Sequence, residues 1–141
     1  MATKKVFTVA TFGHSNRTIE TFLAVLEKHG VEVLVDVRSL PVSRFCPYFN
    51  KTALHATLVE RNIQYLWRGK NLGGRGVNVG WDEAIEELIC LAEDGKRVVV
   101  MCSEGDYRKC HRYTDITPSL EERGVRVVHI QYENEAPKHN Q

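Results

Sequence analysis

Long hydrophobic runs, paired cysteines and an excess of one charge are all missing from this sequence of 141 residues. No apolar run exceeds about seven residues, whereas a membrane-spanning helix needs roughly 20. The 4 cysteines are too sparse for a disulfide scaffold, and none form a CxxC pair typical of zinc ribbons. The net charge is +1, so charge alone neither indicates nor excludes a nucleic-acid partner.

We do not expect the beginning of the sequence to act as a secretion signal, because its apolar stretch "VFTVATF" resembles a strand and no cleavage pattern follows. We therefore expect a cytoplasmic protein without membrane association. The length suits a single hydrophobic core, which we place in one domain over residues 1–132, followed by a polar tail at 133–141.

Strand and helix patterns alternate along the chain. Apolar, β-branched segments predict strands at 5–13, 31–39, 63–69, 96–102 and 125–132. Helical periodicity predicts helices at 16–30, 50–62, 81–95 and 108–124, and the glycine-rich segment 70–80 predicts a mobile loop. This alternation predicts an α/β protein: a single-domain, three-layer fold with a mainly parallel sheet of about five strands, Rossmann-like or flavodoxin-like.

Polar clusters follow three of the predicted strands, namely "GHSN" (13–16), "DVRS" (36–39) and "CSEGD" (102–106). Parallel sheets bind ligands at the carboxyl ends of their strands, so the three clusters are expected to share one edge. The sequence therefore predicts a functional site at this edge.

The first two clusters supply acid–base and anion-binding candidates. His14 can act as a general acid or base, while Ser15 and Asn16 can bind an oxyanion or simply cap the next helix. Asp36 and Arg38 lie two residues apart and so project to one side of a strand. They are either a plain salt bridge or a site in which Arg38 holds a phosphate.

The loop between the second strand and the second helix mixes basic and aromatic residues, a pattern that suits stacked bases and phosphates. Asn50 and Lys51 are the candidate ligand-binding residues at its end. In the alternative interpretation this is an ordinary surface loop, which Phe45 and Phe49 anchor to the core.

The third cluster allows two chemistries. Cys102 and Arg108 match the C-x5-R loop of cysteine phosphatases and rhodanese-like transferases, with Cys102 as nucleophile. Glu104 and Asp106, however, would repel an anion in that loop. In the alternative, Cys102 is a buried structural residue.

Glu104 is the more attractive candidate, as a general acid or base at the rim. The following "CHR" places His111 and Arg112 at the start of a helix, where they can contribute to binding a phosphate. Adjacent Cys and His side chains point to different sides of a helix, so no joint zinc site is expected there.

Taken together, these motifs resemble the domain-of-unknown-function family numbered 488. The resemblance rests on "TFGHSNRTIETFLAVLEKHGVEVLVDVRSLPVSR", "FNK" (49–51), "LGGR" (72–75), "CSEGDYRKCHR" and "GVRVVHI". It implies a compact α/β domain. The signature positions it implies are Gly13, His14, Ser15, Asp36, Arg38, Pro41, Asn50, Lys51, Cys102, Glu104, Cys110, His111 and Arg112.

The leading functional hypothesis is a metal-independent, cofactor-free hydrolase or lyase acting on a nucleotide or damaged nucleic acid, for example a DNA-repair enzyme resembling a DNA glycosylase. In this scheme Arg38, Lys51 and Arg112 hold phosphate, Asp36 or Glu104 activates water, and His14 donates a proton. The alternatives are a phosphatase or sulfurtransferase using Cys102, a non-catalytic nucleotide-binding or nucleic-acid-binding module, and a metal site of His14, Asp36 and Glu104.

Overall fold

The computed structural model describes residues 6–73 and 78–133, without the side chains of residues 111–113. The strands are β1 (Thr8–Gly13), β2 (Val33–Asp36), β3 (Gln64–Trp67), β4 (Val98–Cys102) and β5 (Arg126–Ile130). The helices are α1 (Ile19–Lys28), α2 (Lys51–Glu60), α3 (Gly69–Leu72), α4 (Trp81–Glu93) and α5 (His111–Glu122), with single 3-10 turns at Pro47–Phe49 and Tyr107–Lys109.

The five strands form one sheet in the order β3-β2-β4-β1-β5, and every neighbouring pair is parallel. The predicted α/β class and its parallel sheet are thus confirmed. The order itself differs from the two commonest doubly wound arrangements, because β4 lies between β2 and β1. The end of β4 therefore lies between the end of β1, which leads into His14, and the end of β2, which carries Asp36 and leads into Arg38.

Two apolar cores cover the two faces of the sheet. Helices α1 and α2 pack on one face, and α4 and α5 pack on the other. Alternate residues of each strand serve the two cores: Leu34 faces α1 and α2, whereas Val33 and Val35 face α4 and α5. The site side chains can therefore be assigned to a face from their position along a strand.

Most element boundaries agree with the sequence prediction, and Thr18 caps α1 by accepting the Thr21 N–H at 3.1 Å. Two predictions were wrong. Val59 was expected to face inward with Leu54 and Leu58, but it is 58% exposed whereas both leucines are fully buried. The segment expected to be a loop from residue 70 begins with the short helix α3, and residues 74–77 lie outside the described part.

Across residues 6–73 and 78–133, we find no helix that combines the length and the apolar character needed to span a membrane. The predicted polar tail falls outside these residues from position 134 onward.

Candidate functional site

The ends of β1, β4 and β2 lie side by side, and this register builds the site. Asp36 at the end of β2 pairs with Met101 of β4, and Gly13 at the end of β1 pairs with Cys102. The residues that follow β1 and β2 both approach the end of β4, where the backbone N–H of His14 donates to the Cys102 carbonyl at 2.9 Å and that of Val37 to the Met101 carbonyl at 3.0 Å. The side chains of His14 and Arg38 meet there, both on the α1/α2 side of the sheet.

Asp36 is fully buried, and both of its carboxylate oxygens are occupied. Its Oδ1 accepts the backbone N–H of Arg38 at 3.0 Å and the side-chain Nε–H at 2.9 Å. Its Oδ2 accepts Nη2–H of Arg38 at 2.7 Å and the hydroxyl of Tyr65 at 2.6 Å. Burial and the neighbouring carboxylate raise the pKa of Tyr65, so this hydroxyl stays protonated and donates. A carboxylate bonded in this way holds the arginine in place and has no lone pair directed at solvent for activating water.

Arg38 is only 4% exposed, and it links three parts of the chain. Besides its two side-chain bonds to Asp36, it donates Nη2–H to the backbone carbonyl of Phe49 at 2.8 Å. Its Nη1 lies 3.4 Å from Nε2 of His14. The guanidinium is therefore preorganised by β2, by the loop before α2 and by the end of β1.

His14 is a neutral hydrogen-bond acceptor at its outer nitrogen. It is 2% exposed, and its ring stacks on Phe49 with centroids 4.2 Å apart. Burial, with a smaller contribution from the positive charge of Arg38, lowers the pKa of His14 to about 4. Nδ1 lies 2.6 Å from the Ser15 carbonyl and so carries the proton, which leaves the Nε2 lone pair facing Arg38. This arrangement disfavours the expected role of His14 as a proton donor near neutral pH.

The turn after β1 is closely packed against the loop after β4. The backbone N–H of Ser15 donates to the Ser103 carbonyl at 3.0 Å. A Cβ on Gly13 would lie 1.7 Å from the carbonyl oxygen of Glu104, so no side chain fits there. Ser15 has φ 55°, the left-handed region that residues other than glycine rarely adopt. The contact brings the backbone of Glu104 next to the residue that precedes His14.

The segment 39–50 between β2 and α2 is fastened to the rest of the domain at several points. Tyr48 donates its hydroxyl to the Arg17 carbonyl at 2.8 Å, and Phe49 is fully buried. Asn50 accepts the backbone N–H of Ser43 at 2.6 Å and thus closes the loop on itself. Asn50 therefore has a structural role here, in addition to any role in binding.

The tip of the same segment carries exposed apolar and basic side chains. Phe45 is 75% exposed, and the guanidinium of Arg44 lies 5.6 Å from the centre of its ring. Nearby in the chain, the Lys51 ammonium sits 4.3 Å from the centre of the Trp67 ring. Trp67 in turn donates its indole N–H to the Arg38 carbonyl at 2.8 Å. Of the two phenylalanines predicted to anchor this loop, only Phe49 does so.

Cys102 lies on the other side of the sheet from His14 and Arg38. It is 1% exposed, belongs to the core under α4 and α5, and its sulfur is 3.3 Å from that of Cys110. Arg108, the arginine of the C-x5-R pattern, is exposed and bonded to Asp106 through Nε at 3.0 Å. The described residues therefore do not form the anion cradle that a nucleophilic Cys102 requires.

The remaining predicted site residues fall into three groups. Glu104 is exposed and accepts the Asp106 backbone N–H at 3.0 Å through Oε1. Asn16 is exposed and contacts the Cys46 thiol through Oδ1 at 3.9 Å, while Thr18 caps the helix in its place. His111 and Arg112 begin α5, but their side chains lie outside the described residues.

The described side chains include no group of three or more His, Cys, Asp or Glu residues that could hold a metal ion. The alternative metal site of His14, Asp36 and Glu104 is therefore not assembled. Asp36 is already surrounded by hydrogen-bond donors, and Glu104 is turned toward its own loop.

Two contributors to the network were not predicted. Tyr65 was identified only as part of a strand, although a tyrosine on a buried strand usually needs a partner for its hydroxyl. The Phe49 carbonyl has no signature in the sequence, since any residue supplies a backbone oxygen. Their contacts with Asp36 and Arg38 depend on the β2–β3 pairing and on the path of the loop.

Fold and site together define a three-layer α/β protein with a buried His–Arg–Asp–Tyr network beneath the carboxyl edge of its sheet. The model of the family described as "Domain of unknown function DUF488" matches residues 18–83, and the chain resembles that family. The match includes Asp36, Arg38, Asn50 and Lys51. It is narrower than the resemblance expected from the motifs, because His14 and the Cys102–Arg112 segment fall outside it.

Comparison with curated proteins gave no match, and neither did comparison with solved structures.

Proposed function

We propose that this chain binds a phosphate-bearing nucleotide or a nucleic acid strand at the carboxyl edge of its sheet. The observation that carries the proposal is the tip of segment 39–50, where an aromatic ring is exposed beside a guanidinium although the loop around it is firmly anchored. A base can stack on such a ring while the basic group contacts phosphate. We call Arg44, Phe45 and Lys51 the edge surface.

Burial and charge explain why the edge surface, and not the buried network, is assigned to binding. Four of the five N–H donors of Arg38 are directed at Asp36, Phe49 and His14. Arg38 therefore contributes indirectly, by holding in place the loop that carries the edge surface. Arg44 and Lys51 are exposed and stay accessible to phosphate. The near-neutral net charge means that affinity has to come from this local patch and not from the overall field.

Fluorescence anisotropy with labelled single-stranded DNA and RNA of mixed sequence tests the proposal. Loss of one stacked base amounts to about 1–3 kcal/mol, so Phe45→Ala is expected to weaken binding roughly 5-fold to 150-fold. Arg44→Ala and Lys51→Ala should each reduce the slope of log K against log salt by about 0.7.

Two variants serve as matched controls. Val59→Ala removes another exposed apolar side chain, and Lys96→Ala removes a positive charge that precedes β4, at the opposite edge of the sheet. Both should bind like the unmodified protein. Equal affinity for Phe45→Ala and the parent, or an equal loss in Lys96→Ala, would rule out the edge surface as the binding site.

A second candidate function is hydrolysis or lyase cleavage of the bound nucleotide or nucleic acid. The observation that favours it is Glu104, an exposed carboxylate whose backbone touches Gly13 directly before His14. Of the two carboxylates proposed to activate water, geometry favours Glu104, because Asp36 has no oxygen left to accept the proton.

Cleavage is tested by incubating the protein with nucleotides and with intact, alkylated and abasic DNA, with and without a chelator. Turnover that survives chelation and falls at least 100-fold in Glu104→Gln supports the hydrolase or lyase. Asp106→Asn is the matched control, since that carboxylate is already paired with Arg108. Binding without turnover on all of these substrates would leave the non-catalytic module as the function.

A further inference from the structure

A pair of buried thiols lies at the end of β4, on the opposite side of the sheet from the His–Arg–Asp–Tyr network. The sulfur atoms of Cys102 and Cys110 are 3.3 Å apart, and the two residues are 1% and 4% exposed. Cys102 ends β4 and Cys110 is the N-cap residue of α5. A single buried cysteine is usually only a small apolar side chain, but two sulfurs in contact form a dithiol.

We propose that Cys102 and Cys110 are a reversible redox site that forms an intramolecular disulfide. The distance of 3.3 Å exceeds a disulfide bond by just over 1 Å, so closure needs only side-chain rotation and a small shift. The Glu104 backbone N–H donates to the Cys102 sulfur at 3.3 Å, a contact that stabilises a developing thiolate.

The oxidant is a small-molecule disulfide such as oxidised glutathione. One cysteine thiolate attacks it, forms a mixed disulfide and releases one glutathione thiolate. The second cysteine thiolate attacks the protein sulfur of that mixed disulfide and releases the other. Two protein thiols and one disulfide thus become one protein disulfide and two glutathione thiols, and each cysteine loses one proton.

We expect an oxidant to reach the pair when the short loop that joins the two cysteines moves. The loop residues Ser103, Glu104, Arg108 and Lys109 are exposed, whereas Cys102 and Cys110 at its two ends are buried. The same loop receives the Ser15 N–H through the Ser103 carbonyl. Disulfide formation would therefore restrict the loop 103–109, which contacts the turn after β1. The redox state of the cysteine pair is thereby coupled to the position of that turn.

The test oxidises the full chain in a glutathione redox buffer, both from the native state and during refolding from denaturant, and maps the thiols by alkylation and mass spectrometry. We expect two of the 4 thiols to become resistant to alkylation. The peptides of Cys102 and Cys110 should be joined, two hydrogens lighter, and separated again by dithiothreitol. Cys90, exposed on α4, and Cys46, buried near Asn16, are internal controls that should remain outside the disulfide.

Stability gives an independent readout. A disulfide that closes a loop of about nine residues should raise Tm by roughly 5–10 °C, and the gain should be absent in Cys110→Ser. In the refolding experiment the thiols meet oxidised glutathione before they become buried, so burial cannot prevent their oxidation. Four alkylatable thiols after that step, or a disulfide that includes Cys46 or Cys90, would overturn the proposal. The outcome is independent of nucleotide binding at the edge surface.

Discussion

Replacing His14 should reduce the loss of unfolding free energy that occurs when the pH falls below about 6.5. The folded pKa of His14 is about 4, lowered from 6.5 mainly by burial. Between these two values the unfolded chain binds a proton that the folded protein does not, so the free energy of unfolding rises with pH. The contribution is complete above pH 6.5 and is lost as the pH falls toward 4.

The size of the effect follows from the pKa difference. Each pKa unit corresponds to about 1.4 kcal/mol, and a shift of this size gives a loss of about 3 kcal/mol between pH 7 and pH 4. That is a large fraction of the 5–15 kcal/mol typical of a domain. His14→Gln keeps an acceptor for Arg38 but cannot take up a proton in this range. The variant is expected to be less stable at pH 7, yet to lose about 3 kcal/mol less on acidification.

Urea unfolding followed by circular dichroism at pH 7, 6, 5 and 4 measures this difference. His29→Gln, which removes an exposed imidazole at the end of α1, is the control and should follow the unmodified protein. Parallel profiles for the parent and His14→Gln would refute the reasoning. They would mean that the buried imidazole takes up a proton as readily in the folded state as in the unfolded chain.

Five further substitutions test the network and the packing. Asp36→Asn leaves a buried guanidinium without its counter-charge and should lower the free energy of unfolding by about 3–5 kcal/mol. Tyr65→Phe removes only one hydrogen bond to the carboxylate and should lower it by about 1.5–3 kcal/mol. Gly13→Ala should prevent folding or lower the Tm by more than about 10 °C in calorimetry, because the added Cβ would lie 1.7 Å from the carbonyl oxygen of Glu104. Leu54→Ala should cost about 2–5 kcal/mol in urea titrations and Val59→Ala less than about 0.5, and equal costs would contradict their assigned burial.

The sequence by itself determined the architecture, and with it the edge of the sheet at which the candidate side chains of β1 and β2 lie. Alternating apolar patterns predict the five strands and four of the five helices, all but α3, because burial on a parallel sheet imposes those patterns locally. The two-residue spacing of Asp36 and Arg38 likewise places both on one side of β2, where they pair. Such features depend on neighbours in the chain and can be inferred without knowing the fold.

Tertiary structure alone decided what the polar residues do. The strand order inserts β4 between β1 and β2, and only this arrangement brings His14 to Arg38 across its end. Pairing of β2 with β3 supplies the Tyr65 hydroxyl that occupies the last acceptor of Asp36. The order of the strands decides which residues distant in the chain come into contact. It also decides the burial that lowers the pKa of His14, and no local sequence pattern encodes this order.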